Sequence, residues 1–377
     1  MNEFQQGRWL KQSGYQSFQP SVINREWVIT SPKILTAMSR ADRQIGRLDM
    51  FSQYAPDRNL FVQMHVTKEA TESSRIEDTQ TQIDEAILPE EEIALERRDD
   101  WREVQNYIEA MRTARERLKS VPFSVRLLKE AHATLLSGVR GERKMPGDFR
   151  VSQNWIGGSN PGNARFVPPH HDDVPELMLD LELFAHNESV HVPPLIRAGI
   201  LHYQFEAIHP FLDGNGRIGR LMIPLYLISV GILEAPVLYL SDYFERNRQE
   251  YYERLTRVRE HGELSEWLHF FLDGVAETAS LGVETFDRIL KFKAETEADI
   301  RQWKRHSAAG ALLFERLFGL PWVNAQQVAE VAEVSQPTAY KVIQAFQEKG
   351  LLKEITGAQR GRIYTFEPYL KLFRRKD

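Results

Sequence analysis

Cysteine is absent from the 377-residue chain, which excludes disulfides and thiolate metal sites and leaves the redox compartment open. Also missing is any apolar run of about 18 residues, the length a membrane helix needs. The start, Met1-Asn-Glu-Phe-Gln-Gln-Gly-Arg-Trp-Leu10, has neither the basic head nor the apolar core of a signal peptide. Positive charge is not in excess: 48 Lys/Arg against 53 Asp/Glu leave −5, which argues against a chain built throughout to coat nucleic acid or anionic membrane. Long internal repeats and low-complexity tracts are lacking too. These absences lead us to expect a soluble, cytoplasmic protein that makes no membrane contact. With 42% hydrophobic residues the chain has enough apolar side chains for more than one core, since single cores stop growing near ~250–300 residues.

Helical patterning dominates what is there. Residues 1–20 are polar, carry Gly14 and Pro20, and read as an arm or irregular strand. From Pro32 onward Ile34, Leu35, Met38, Ile45 and Leu48 fall at helical spacing, and such signals recur almost to Lys304. One stretch interrupts them. Phe149 to Ile156 and Ala164 to Val167 are β-prone and bracket a Gly/Ser/Asn/Pro cluster, which predicts a hairpin. A hairpin mounted on helices is a common place for function.

The last segment has its own pattern. A helix over Val323–Ala332, a turn at Glu333–Pro337 and a second helix over Thr338–Lys349 are followed by strand (Leu351–Ile355), basic loop (Thr356–Arg362) and strand (Ile363–Phe366). This resembles a winged helix-turn-helix across residues 310–370, with Ser335–Lys349 in the recognition-helix position. Residues 310–377 hold ten Lys/Arg against seven Asp/Glu, a small excess that suits contact with DNA or with a protein. The expected division is residues 1–110, 111–304 and 305–377.

The densest chemistry lies in His209-Pro-Phe-Leu-Asp-Gly-Asn-Gly-Arg-Ile-Gly-Arg220, between the apolar runs Leu195–Phe205 and Ile218–Val230. Gly214 and Gly216 let backbone approach a phosphate, and a helix starting here presents free N–H groups to it. Arg217 and Arg220, three apart, can reach one polyphosphate as fork donors. Asp213 is a hard oxygen ligand suited to Mg²⁺, and Asn215 has an amide to donate. His209 titrates near neutrality when unperturbed, as a base for a hydroxyl nucleophile should.

This segment resembles the signature of Fic-domain proteins, His-x-Phe-x-Asp/Glu-Gly-Asn-Gly-Arg-x-x-Arg, with every defined position filled. The resemblance implies an all-α core with a β-hairpin flap, here followed by a small α+β winged helix, and transfer of AMP from ATP to a Ser, Thr or Tyr hydroxyl of a protein. It makes His209 the general base, Asp213 the Mg²⁺ ligand and Phe211 a core anchor. The Gly214–Gly216 backbone and Asn215 become binders of the α/β phosphates, Arg217 and Arg220 binders of the β/γ phosphates, with Ile218 and Gly219 completing the cofactor-binding turn.

By the same resemblance the stretch around Asn154, Trp155, Ile156 and Gly157 is a flap that pairs main chain with the target. Ser73-Ser-Arg-Ile-Glu-Asp78, in a polar helix over about 67–79, resembles the inhibitory motif Ser/Thr-x-x-x-Glu-Gly/Asn, with Ser73 and Glu77 in place and Asp78 departing from it. Glu77 is then expected to compete for Arg220. Tyr243, Asn247 and Tyr251 are candidates for an adenine pocket, and self-modification and a homodimer are further expectations. Two alternatives stay open: another chemistry of the same family (removal of AMP, or transfer of UMP, phosphate or phosphocholine), and a DNA-binding regulator that only senses nucleotide.

Overall fold

The computed structural model describes residues 4–53, 58–303 and 306–374. Helix α1 (Pro32–Gln53) turns Ile34, Ala37, Ala41, Ile45 and Leu48 inward at the expected spacing. α2 (Arg58–Ile76), the short α3 (Ile83–Ala86), α4 (Arg98–Arg117), α5 (Val125–Leu135) and α6 (Val174–His186) follow. At the centre stand α7 (Pro194–Ile208) and α8 (Asn215–Ser229), packed against each other. Every residue of α7 from Leu195 to Ile208 is buried, the polar Arg197, His202, Gln204 and Glu206 among them, because other elements enclose the helix on all sides. α9 (Ser241–Arg246), α10 (Arg248–His261) and the long α11 (Leu264–Ile300) close the bundle, with α1 lying along α11. Among the described residues no helix is long and apolar enough to cross a membrane.

Two departures from the sequence reading ahead of residue 306 concern β-structure. Residues 1–20 were expected as an arm or irregular strand; β1 (Gly7–Lys11) and β2 (Gln16–Pro20) instead form a regular antiparallel hairpin. Its strands carry few apolar residues; they are held by Phe18, fully buried beneath the Trp9 ring at 5.2 Å, and by Phe18 N–H donating to the Val167 carbonyl at 2.8 Å. Conversely, the hairpin expected over 149–167 shrinks to a single antiparallel bridge between Ile156 and Phe166. Gly157 and Gly158, at φ 70° and 71°, turn the chain early. The first arm is drawn away by Arg150 and Asn154, whose side chains bond elsewhere.

The described residues after 306 form α12 (Ser307–Gly319), β3 (Trp322–Asn324), α13 (Ala325–Val331), α14 (Gln336–Glu348), β4 (Lys353–Glu354), β5 (Ile363–Thr365) and α15 (Glu367–Leu370). The antiparallel sheet has the order β3-β5-β4. Val323 and Asn324, expected in a helix, belong to β3, and the Asn324 side chain caps α13 by accepting from Gln327 N–H at 2.9 Å. The expected boundary at residues 304/305 lies outside the described residues.

Candidate functional site

α7 ends abruptly at the first residue of the twelve-residue loop. His209 adopts a left-handed conformation, φ 50°, and its carbonyl accepts from Arg150 Nε at 3.0 Å and Asn154 Nδ2 at 3.3 Å. Arg150 is 1% exposed and also donates to the Pro169 carbonyl at 2.6 Å. The loop is closed internally by Asn215, which accepts from Phe211 N–H and donates to the Phe211 carbonyl, both at 2.8 Å. The Asn215 side chain, expected as a phosphate donor, is thereby engaged in shaping the loop. Phe211 is fully buried and stacks on His132 at 3.8 Å. Because Gly147 N–H donates to His132 Nδ1 at 2.9 Å, the ring proton sits on Nε2, which donates to the Asp213 carbonyl at 3.0 Å. Burial pushes His132 down to about 4, so it stays neutral while holding flap base and loop together.

Gly214 begins α8 at φ 73°, a region costly for a residue with a Cβ. A Cβ at Gly216 would run into Glu77 Oε1, so this carboxylate rests directly on the glycine. Ile218 and Gly219 do not belong to the binding turn. Ile218 is fully buried with its N–H bonded to the Gly214 carbonyl, and Gly219 packs on Phe205 and Glu206 on the core side.

The charges around the loop are largely buried. His209 was expected to titrate near neutrality; desolvation, then the Arg150 charge, pushes it to about 3, with Glu77 opposing. Its Nδ1 is buried and has no partner among the described residues. The Arg220 side chain, 1% exposed, donates from Nε to Ser73 Oγ at 2.9 Å and from Nη2 to the Ser73 carbonyl at 2.9 Å and Glu77 Oε1 at 2.7 Å. Burial would raise Glu77, yet the charge and hydrogen bond of Arg220 hold it below the ordinary carboxylate value.

Glu77 follows the last residue of α2. Asp78 then takes φ 67°, with Asp78 N–H on the Arg75 carbonyl at 2.9 Å and Thr79 N–H on the Ser74 carbonyl at 3.2 Å. This pair of bonds is a Schellman ending, which glycine or asparagine would satisfy with less strain.

Arg217 is held differently. Its Nη1 donates to Glu103 Oε2 at 2.8 Å, and Nη2 lies 3.8 Å from Asp213 Oδ1. Asp213 Oδ1 accepts from Gly214 N–H at 2.6 Å, and the side chain is 43% exposed. A single accessible hard carboxylate beside an anion-binding turn fits Mg²⁺, which takes few protein ligands and completes its shell from phosphate and water.

The flap and adenine candidates divide. Asn154 is turned inward, donating to the Phe211 carbonyl at 2.8 Å, so it ties the flap to the loop and is not presented to a partner. Trp155 and Ile156 stand half-exposed. The main chain of Trp155 and Gly157 makes no hydrogen bond among the described residues, whereas Ile156 is engaged by Phe166. Tyr251 is no pocket residue: it is 1% exposed, stacked on Phe244 at 4.5 Å, and its hydroxyl meets His202 Nε2 at 2.9 Å. Tyr243 packs on Phe270 at 5.1 Å in the same aromatic core. The Asn247 amide donates to the Tyr243 carbonyl at 2.9 Å at the junction of α9 and α10.

Sequence reasoning missed several residues that shape the site. Arg150 and His132 each brace the loop, Glu103 holds Arg217, and Tyr252, next to the buried Tyr251, is pushed up to about 12 by burial and by Glu77. Tyr252 and Arg259, seven apart on α10, share a face by helical period; the Arg259 guanidinium lies 4.0 Å over the Phe166 ring of the flap. That periodicity was the available signal for these two.

Two family models match the chain: "Fic/DOC family N-terminal" over residues 35–116 and "Fic/DOC family" over residues 122–227. Among curated relatives, the protein adenylyltransferase Fic of Drosophila yakuba is 29% identical over 165 residues, 44% of this chain and 30% of the relative. That of Drosophila ananassae is 33% identical over 138 residues, 36% of this chain and 24% of the relative. The match thus spans less than a third of the length of these relatives. Among solved structures, a Fic family protein from Desulfovibrio desulfuricans G20 aligns with a TM-score of 0.58 at 20% identity, covering 91% of this chain and 98% of that one. Fic-1 from C. elegans aligns with a TM-score of 0.53 at 21% identity, covering 69% and 75%. At these identities the structural likeness concerns the fold.

Proposed function

The chain belongs to the Fic/DOC family, and from that premise we propose that it is a protein adenylyltransferase, moving AMP from ATP to a Ser, Thr or Tyr hydroxyl of a protein, itself included, under restraint by Glu77. The observation that carries this reading is the Arg220–Glu77 contact at 2.7 Å, made directly over Gly216 at the start of α8. A free helix start with two arginines is an anion site, and here its second arginine is occupied by a carboxylate from another helix.

The residues fit the chemistry. The hydroxyl oxygen attacks the α-phosphorus, the bond from that phosphorus to the bridging oxygen breaks, and pyrophosphate leaves. The His209 imidazole, neutral at physiological pH, takes the hydroxyl proton. A polyanion beside it raises its proton affinity from the low value set by burial. The backbone N–H groups of Asn215 and Gly216 and the Arg217 guanidinium donate to phosphate oxygens, while Gly214 N–H is kept by Asp213 Oδ1. Asp213 would hold Mg²⁺, which offsets phosphate charge when bound. Trp155 and Gly157 offer unengaged main chain for an extended target segment, so strand addition would set the hydroxyl in line. While Glu77 keeps Arg220, the terminal phosphate lacks its clamp and the α-phosphorus is misplaced for attack.

Labelling with ATP radiolabelled at the α-phosphate tests both parts. Glu77→Gly should label itself or a lysate protein strongly and wild type weakly. Equal labelling would remove the restraint, and no label from a folded Glu77→Gly protein would remove the transfer. We read residues 307–370 as a winged helix-turn-helix, supported by the β3-β5-β4 sheet and by the exposed Tyr340 and Lys341 on α14. Salt-dependent binding of duplex DNA, lost in Lys341→Glu, is its test.

A further inference from the structure

Glu103 enters the site from the middle of α4, and the family signature does not include it. It is 5% exposed, and both its oxygens are bound: Oε2 by Arg217 Nη1 and Oε1 by Arg140 Nε, each at 2.8 Å. Arg140 is fixed in turn by Asp100 Oδ1 at 2.9 Å, and Asp100 Oδ2 accepts from Gln80 N–H at 2.8 Å, three residues past Glu77. Arg217, with a side chain 6% exposed, has one donor on Glu103, Nη2 3.8 Å from Asp213 and a buried Nε with no partner among the described residues.

We propose that Glu103, locked by Arg140, is a positioning residue that fixes the Arg217 guanidinium so that its remaining donors face the phosphate turn beside Asp213. The proposal rests on the nucleotidyl-transfer reading. A carboxylate whose two oxygens are claimed by two arginines, within a helix packed on α5 and α8, is not a releasable competitor. It serves as a wall that keeps a long side chain in one rotamer before nucleotide arrives, which lowers the ordering cost of binding. It also compensates the buried charge of Arg217, since a buried cation stripped of its partner is strongly unfavourable. Glu77 differs in both respects: its side chain is 36% exposed, and it follows the end of its helix.

The test uses the full chain carrying Glu77→Gly, in two measurements. In steady-state labelling, adding Glu103→Gln should raise KM for Mg·ATP about tenfold, the scale of one charge-assisted hydrogen bond, and change kcat less than threefold. Glu103→Asp should recover part of the loss. In calorimetry the preference for ADP over AMP should fall by a similar factor, because Arg217 meets the phosphates beyond the first. Arg140→Ala, at a side chain 60% exposed, should give about a threefold effect and serves if Glu103→Gln does not fold. An unchanged ADP-to-AMP preference overturns the proposal, as does a Glu103→Gln that lowers KM or raises labelling, which would make Glu103 a second brake. If the parent Glu77→Gly fails to label, the transfer reading falls, while the ADP-to-AMP ratio still decides the role of Glu103.

Discussion

Two carboxylates grip two arginines three residues apart on α8, and the two grips differ in the backbone behind them. Glu77 reaches Arg220 from just beyond the end of α2, on a turn strained at Asp78, with its side chain 36% exposed. Glu103 reaches Arg217 from within α4, its second oxygen held by Arg140, at 5% exposure. The same ion pair therefore has opposite prospects. A holder on a helix terminus can leave by melting one turn, whereas a holder inside a packed helix leaves only if the core opens. The difference teaches that an arginine–carboxylate distance does not distinguish restraint from support; what the carboxylate is attached to does.

The sharpest way to break this comparison is to remove the chemistry both grips serve. His209→Ala in a Glu77→Gly chain should cut labelling by about 10²–10⁴, the range for losing a general base, with ATP affinity by calorimetry nearly unchanged. Retained labelling would mean that transfer does not occur at this loop, and neither grip would then bear on it. The next largest effect is the release itself. Glu77→Gly should raise labelling by about tenfold or more, since freeing one charged clamp is worth on the order of 1.5–3 kcal/mol, and adding Arg220→Ala should cancel the gain. A gain that survives Arg220→Ala would locate the action of Glu77 elsewhere.

How far these grips were legible in the sequence follows the same division. Arg217 and Arg220 could be read because the spacing of their loop has few other uses, and Glu77 only through the resemblance of Ser73–Asp78 to an inhibitory motif, from which Asp78 departs. Glu103 could not. It sits in Arg98–Arg117, a charged helix rich in acids and arginines, and only tertiary packing distinguishes it from Asp99 or Glu109. The misassigned tyrosine has a similar cause: Tyr251 and Tyr252 are adjacent, and helical phase alone decides that Tyr251 is buried in the core at 1% exposure while Tyr252 is 37% exposed. The N-terminal hairpin escaped because its burial depends on Phe18 and a bond to Val167, about 150 residues away in the chain. The expected hairpin at 149–167 was overestimated because two of its polar residues, Arg150 and Asn154, are bonded to the loop.

Acidity offers a subtler discrimination. Arg220 holds Glu77 below its ordinary value against the opposing effect of desolvation, so the restraint we propose should be complete above about pH 4.5 and weaken only as pH falls through that lowered value. The ratio of Glu77→Gly to wild-type labelling should therefore be flat from pH 6 to 9. Behind Arg220, Glu206 behaves oppositely. Burial raises it to about 7, and its Oε1 has no partner among the described residues. The folded state keeps that proton while the unfolded chain releases it above about 4.5, so this contribution to stability is full at low pH and is lost as pH rises through about 7. Glu69, raised by burial to about 7 as well, adds to the slope. The buried His132, His202 and His209, pushed down to about 4, 3 and 3, act in the opposite sense below about pH 6.5, so Glu206 is read from a difference: the melting temperature of Glu206→Gln relative to wild type should rise between pH 5 and 7. A difference independent of pH would mean that the Glu206 carboxyl reaches water.

The smallest effect bears on how the releasable grip is tuned. Asp78 occupies a left-handed position, φ 67°, and its carboxylate pairs with Arg248 Nη2 at 2.9 Å, with the side chain 79% exposed. An exposed ion pair contributes ~0–1 kcal/mol; the left-handed conformation costs roughly 1 kcal/mol for most residues and less for asparagine. Asp78→Asn therefore exchanges a weak attraction for a relaxed turn, and the balance favours a tighter helix end by a few tenths of a kcal/mol. Wild-type labelling should fall by about a factor of two or less, with no change in a Glu77→Gly background, where the turn has nothing to hold. If Asp78→Asn instead raises labelling, the Arg248 pair outweighs the strain, and the segment is pinned by its surface charge more than by its backbone.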